Sequence, residues 1–153
     1  MHLPLLKFLD VAGLFAVVGQ FFGRIGNIIN GDVIGYATTL PWGFIYANPN
    51  SLAPNHTTAY EPAAVYEAIS NIILFGILWW LRDKFKPGVL FFIYVVGYSI
   101  FQIILFFRRD NVIIALGLKQ AQLTALAVIV AAAIVFPWLF RHYQGRIRDQ
   151  KTS

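Results

Sequence analysis

The chain of 153 residues is 58% hydrophobic and only 12% charged, against roughly 45–50% and about 25% in soluble domains. That balance makes a bilayer the solvent, and at about 20 apolar residues per span it leaves room for three or four spans and no separate soluble domain. The lack of cysteine excludes disulfides, thiolate catalysis and cysteine metal sites, while the net charge of +5 gathers at the ends of apolar segments, as membrane topology requires and a nucleic-acid surface does not.

The first apolar segment predicts a helix over about 5–30. It carries Lys7 and Asp10 and closes without a small-residue cleavage site, unlike a signal peptide. At 100° per residue, Ala12, Ala16, Gly19, Gly23 and Gly26 form one narrow stripe suited to close helix packing. Gln20, Arg24 and Asn27 cluster on the adjoining face. The 31–62 stretch, rich in proline, asparagine and threonine, predicts an ordered cap on the membrane surface, with Trp42, Phe44 and Tyr46 at headgroup depth.

Further helices are predicted over about 63–81, 88–107 and 122–140, because backbone groups in hydrocarbon must be satisfied within the segment. On the second, Glu67 and Asn71 are four apart, with Tyr66 and Ser70 beside them. On the third, Tyr94, Tyr98, Gln102 and Arg109 share a face. The expected fold class is an all-α integral membrane protein. It has about four transmembrane helices in a single membrane domain over 1–153, an ordered outer loop between the first two, and a tail over 141–153.

Basic residues orient these helices. Arg82, Lys84 and Lys86 fill the link between the second and third, and Arg141, Arg146, Arg148 and Lys151 follow the fourth. Residues 31–80 contain no lysine or arginine. The positive-inside rule therefore places the 82–87 link and the C-terminus in the cytoplasm, and the 31–62 loop outside. Arg108, Arg109 and Lys119 break the pattern, since they fall on the outer side.

Ionisable groups within spans are costly and usually functional. The three polar sets on the first, second and third helices all lie towards the outer leaflet. Their convergence predicts a polar pocket at headgroup level. Each set also has a plainer reading: Arg24 as an interfacial snorkel, Glu67 and Asn71 as interhelical hydrogen bonds, the tyrosines as packing, Arg108 and Arg109 as headgroup anchors. An arginine fork suits phosphate, and asparagine amides suit glycerol hydroxyls or ester carbonyls. Asp32 or Glu67 would accept a proton or orient the arginine. The residues alone thus point to a phospholipid-handling membrane protein, with no nucleic-acid partner.

Residues 23–35, "GRIGNIINGDVIG", resemble the signature of the prolipoprotein diacylglyceryl transferases of bacteria. Gly23, Arg24, Gly26, Asn27, Asn30 and Gly35 match it, with Asp32 where the family usually has glutamate. "LPW" at 40–42, "EPAAVYEA" at 61–68, "GYSIFQIILFFRRD" at 97–110 and "KQAQLTAL" at 119–126 continue the likeness in order, including Pro62, Tyr66, Glu67, Tyr98, Arg109 and Gln122. Gln102 stands where the family has arginine, Phe106 where it has glutamate, Glu61 for its histidine and Ala64 for its glutamine. The family's enzymes are longer, with further N-terminal helices and a His-Gly-Gly stretch, so the likeness is to their C-terminal part.

The resemblance implies transfer of the diacylglyceryl group of phosphatidylglycerol to the lipobox cysteine of a preprolipoprotein signal peptide. The product is a thioether, and glycerol-1-phosphate leaves. It implies a multi-pass location in the bacterial plasma (inner) membrane, amid membrane lipids, with the site facing outward and the C-terminus cytoplasmic. Arg24, Asp32 and Arg109 are then the catalytic candidates, with Asp32 orienting Arg24. Arg24, Asn27, Asn30, Gly35, Glu67, Tyr98 and Gln102 are the substrate-binding candidates. No metal or organic cofactor is implied. The alternative is a non-catalytic phospholipid-binding protein descended from the same family.

Overall fold

The computed structural model describes residues 5–152. It contains four helices, α1 (Leu5–Asn30), α2 (Ala63–Leu81), α3 (Val89–Phe106) and α4 (Gln120–Thr152). A two-stranded antiparallel hairpin, β1 (Ile113–Ala115) and β2 (Leu118–Lys119), joins α3 to α4. Each helix has a stretch long and apolar enough to cross a membrane, that of α4 being Gln120–Leu139. The molecule is an all-α membrane protein, as its composition requires.

Helices α1, α2 and α3 pack mutually around Val17, Leu74, Leu78 and Leu90. The most apolar window of α2 is 39% buried, against 11–22% in the other three, so α2 is the central helix. Helix α4 leans chiefly on α3, with the rings of Phe92 and Phe136 stacked at 4.4 Å and the Gln122 amide donating to the Ile103 carbonyl at 2.9 Å. Large apolar side chains such as Phe8, Phe15, Phe22, Ile73 and Trp138 point outward, as they do where the surroundings are lipid.

Each helix end has a local cause. Gly31, at φ +72°, stops α1, and the Asn27 carbonyl accepts from the N–H groups of Gly31 and Asp32, a left-handed cap that needs no Cβ. The start of α3 is capped from another helix. Its own N-cap, Gly88, has no side chain to offer, and the Asp10 carboxylate of α1 accepts from the N–H groups of Gly88 at 2.7 Å and Phe91 at 2.8 Å. Two of the unpaired donors at that terminus are thereby satisfied.

Two sequence expectations need correction, and one link holds an element on which the sequence was silent. The stripe of small residues does not pack within this chain: nothing among the described residues lies within 4 Å of a Cβ built at Gly19, Gly23 or Gly26. Close packing of α1 occurs instead at Gly13, on a different face, against Tyr94 and Phe91. Helix α4 does not end near 140 but runs on to Thr152, through Pro137, because half of residues 141–152 are strong helix formers and Gly145 is the one stop signal among them. Finally, the 108–121 link holds a hairpin whose two turn residues, Leu116 and Gly117, both have positive φ, the geometry of a type I′ turn.

The 31–62 loop is an ordered cap. Isolated bridges pair Ala37 and Phe44 with Tyr60, and Gly35 with Arg109. Tyr46, Ala53 and Tyr60 form a small apolar core under it. Tyr46 is therefore buried in the loop itself, where burial raises its hydroxyl pKa above the ordinary value, while Trp42 and Phe44 stay exposed. The loop closes one end of the bundle, called the loop end below.

Candidate active site

The loop end gathers two arginines around one carboxylate, with a buried lysine close to one of them. Glu67 sits in the first turns of α2 and is 1% exposed. Its Oε2 lies 2.7 Å from Arg24 Nε of α1, and its Oε1 accepts from Arg109 Nη1, just beyond α3, at 3.2 Å. A carboxylate that deep is stable only if paired, and both arginines are mostly enclosed around it. Burial lowers the pKa of Arg109, Glu67 opposes that shift, and the nearby Arg24 adds to it. An arginine so placed is still charged at neutral pH. Its guanidinium lies 4.4 Å over the ring of Phe106, a cation–π contact, and its Nε has no hydrogen-bond partner among the described residues.

Lys119 is the third cation and is 4% exposed. Its ammonium donates to the carbonyls of Phe106 and Arg109 and to the Tyr36 hydroxyl. It thus caps the C-terminal end of α3, where cations are favoured. All three acceptors are neutral, so its charge adds to that of the arginines. Arg108 pairs separately with Glu61 at 3.2 Å. The three basic residues that broke the charge pattern therefore all have partners inside the fold.

Backbone geometry sets Arg108 and Arg109 in place. The Gly35 N–H donates to the Glu61 carbonyl at 2.9 Å, and Gly35 bridges Arg109 across an antiparallel contact. A Cβ at Gly35 would lie 2.7 Å from both the Arg108 and Glu61 carbonyl oxygens. The close approach at Gly35 is thus made by the protein's own backbone. Above it, the Trp42 indole donates to the Tyr66 hydroxyl at 2.8 Å, tying the loop to α2 one residue before Glu67.

The remaining candidates divide into two places. Asn30 and Asp32 are exposed at the end of α1, and the Asn30 amide donates to Asp32 at 3.2 Å. The carboxylate against Arg24 is that of Glu67. Asn27 is half-buried one turn beyond Arg24. Tyr98 and Gln102 line a cavity between α3 and α4 that also reaches Arg109 and Lys119. Tyr94 lies deeper, stacked on Tyr98 and accepting from the Gln20 amide at 3.0 Å. The partnership of Lys119 with Tyr36 and the double role of Glu67 were not legible in the sequence, since the first joins residues 83 apart and the Glu67–Arg109 pair residues 42 apart.

Fold and cluster together define an integral membrane protein with a buried carboxylate shared by two arginines, and a buried lysine beside them, at one end of a helical bundle. The family model for prolipoprotein diacylglyceryl transferase matches residues 1–138, and the chain belongs to that family. It is 36% identical over 133 residues to the phosphatidylglycerol–prolipoprotein diacylglyceryl transferase of Cupriavidus metallidurans, covering 83% of this chain and 47% of that protein. The protein of the same name from Dehalococcoides mccartyi is 34% identical over 152 residues, 99% of this chain and 57% of its own length. That of Cupriavidus necator is 35% identical over 141 residues, covering 88% and 50%. The chain thus spans about half the length of the curated relatives it matches. No solved structure matches it.

Proposed function

We propose that this chain takes part in transferring the diacylglyceryl group of phosphatidylglycerol to the lipobox cysteine of a preprolipoprotein, in a bacterial plasma membrane. The observation that carries the reading is the single Glu67 carboxylate shared by Arg24 and Arg109 beside Lys119. Positive charge in excess of its counter-charge, at the end of a membrane bundle, suits a phosphodiester headgroup. Asn27 and Asn30 position the glycerol hydroxyls, with Asp32 holding the Asn30 amide. Glu67 fixes the two guanidinium planes.

In the reaction, the substrate sulfur forms a bond to the glyceryl carbon, and the thiol's proton passes in net balance to the departing phosphate. The bond from that carbon to the phosphate oxygen breaks, and glycerol-1-phosphate leaves with the electron pair. Arg24 and Arg109 stabilise the charge that develops on the phosphate oxygens. The step uses no metal or organic cofactor. The loop end faces outward, because Arg82, Lys84 and Lys86 mark the opposite end as cytoplasmic, and the basic residues at the loop end are internally paired.

One observation favours a second reading, a phospholipid-binding member without catalysis. Gln102 and Phe106, both buried, leave uncharged the turn where the family's arginine and glutamate would stand. The deciding assay follows labelled diacylglyceryl from phosphatidylglycerol to a lipobox peptide. Membranes would contain this chain alone, or this chain with the remaining half of a relative co-produced. Transfer in the second arm, reduced at least about a hundredfold by Arg24→Ala, is expected. Phosphatidylglycerol binding without transfer in either arm would establish the second reading instead.

A further inference from the structure

A cavity of about 790 Å³ opens between α3 and α4 beside the cationic cluster, within the ~300–1,000 Å³ of small-molecule sites. Arg109 and Lys119 border it at the loop end, and Val95, Ala125 and Val128 at depth. Between these two ends lie Ser99 and Gln102, 4% and 7% exposed. Neither side chain has a hydrogen-bond partner among the described residues.

A second buried glutamine shows what a purely structural one does here. Gln122 is 1% exposed, donates to the Ile103 carbonyl and accepts from the Lys119 N–H. Gln102 makes no such bonds, although it borders the same two helices. A polar group left unpaired beside hydrocarbon is costly, and two of them, three residues apart on one helix, face the same cavity. The cavity therefore grades from cationic, through two hydrogen-bond donors, to apolar. A diacyl phospholipid grades the same way, from phosphate, through ester carbonyls that accept and cannot donate, to acyl chain.

We infer that Ser99 and Gln102 donate to the ester carbonyls of a diacyl phospholipid seated in the α3–α4 cavity, so that the chain distinguishes ester-linked from ether-linked lipid. This rests on the headgroup reading given under the proposed function. It makes Gln102 a specificity-determining residue in its own right.

The test compares binding of diester phosphatidylglycerol with its diether analogue of equal chain length, using the full chain in detergent micelles. The unmodified chain is expected to bind the diester on the order of tenfold tighter. Ser99→Ala with Gln102→Leu is expected to erase that preference, the diester losing about tenfold in affinity relative to the diether. Equal binding of both lipids by the unmodified chain overturns the inference without any variant, and leaves the headgroup reading standing. A double variant that keeps the preference also overturns it, since only water would then meet these donors. Binding of neither lipid would remove the headgroup reading, and this inference with it.

Discussion

Glu67 is the residue on which the loop end depends. Its Oε1 accepts from Arg109 and its Oε2 is ion-paired with Arg24, and removing one member of a buried charge pair typically costs about 3–5 kcal/mol because the partner charge is left behind. Glu67→Gln keeps the shape and removes the charge, leaving Arg24 and Arg109 facing each other unneutralised. The expected result is a loss of about 3 kcal/mol in thermal denaturation of the micelle-bound protein. An unchanged midpoint would show that the arginines find counter-charge elsewhere. The residues alone left Asp32 and Glu67 both open as the carboxylate that orients the arginine, and the family resemblance implied Asp32; in the fold it is Glu67 that lies against Arg24. What the sequence could not show was the turn at Gly31, whose positive φ carries Asp32 away to Asn30. Phe106 illustrates the same limit. Read as a lost charge in the sequence, it supplies in the fold the ring face on which Arg109 rests.

Among the elements, the four helices were legible because each needs only its own apolar length, and their predicted and observed bounds agree closely except at the end of α4. The hairpin was not. Its turn residues are Leu116 and Gly117 rather than asparagine and glycine, so the usual signal for a type I′ turn was missing. The contact that seats α3 was equally hidden, since it joins Asp10 to backbone donors 78 and 81 residues away. Asp10 lies near the other end of the bundle from Glu67 and serves as the N-cap that Gly88 cannot provide. Asp10→Ala should therefore destabilise the chain by about 1–2 kcal/mol, the usual value of such a cap. It should leave phospholipid affinity unchanged. A stability loss well below that range, or a large fall in lipid affinity, would contradict the assignment of Asp10 to holding α3.

For the whole molecule, composition alone established a membrane bundle, while the charge pattern acquired its explanation only in the fold. Arg108, Arg109 and Lys119, which broke the pattern read from the sequence, are each held by a named partner: Glu61, Glu67, or the end of α3. The open glycines Gly19, Gly23 and Gly26 mark a face of α1 that meets no neighbour among the described residues. Half the length of its relatives lies beyond what it matches. The central claim is that the cluster at the loop end holds an anionic phospholipid headgroup. It is tested most directly by measuring, in native mass spectrometry of the micelle-bound chain, competition between phosphatidylglycerol and phosphatidylcholine of equal chain length. The account predicts that phosphatidylglycerol is retained preferentially, and that Arg24→Gln and Arg109→Gln each weaken that retention about tenfold or more. Equal retention of the two lipids by the unmodified chain, or an undiminished preference in the double variant, would contradict it.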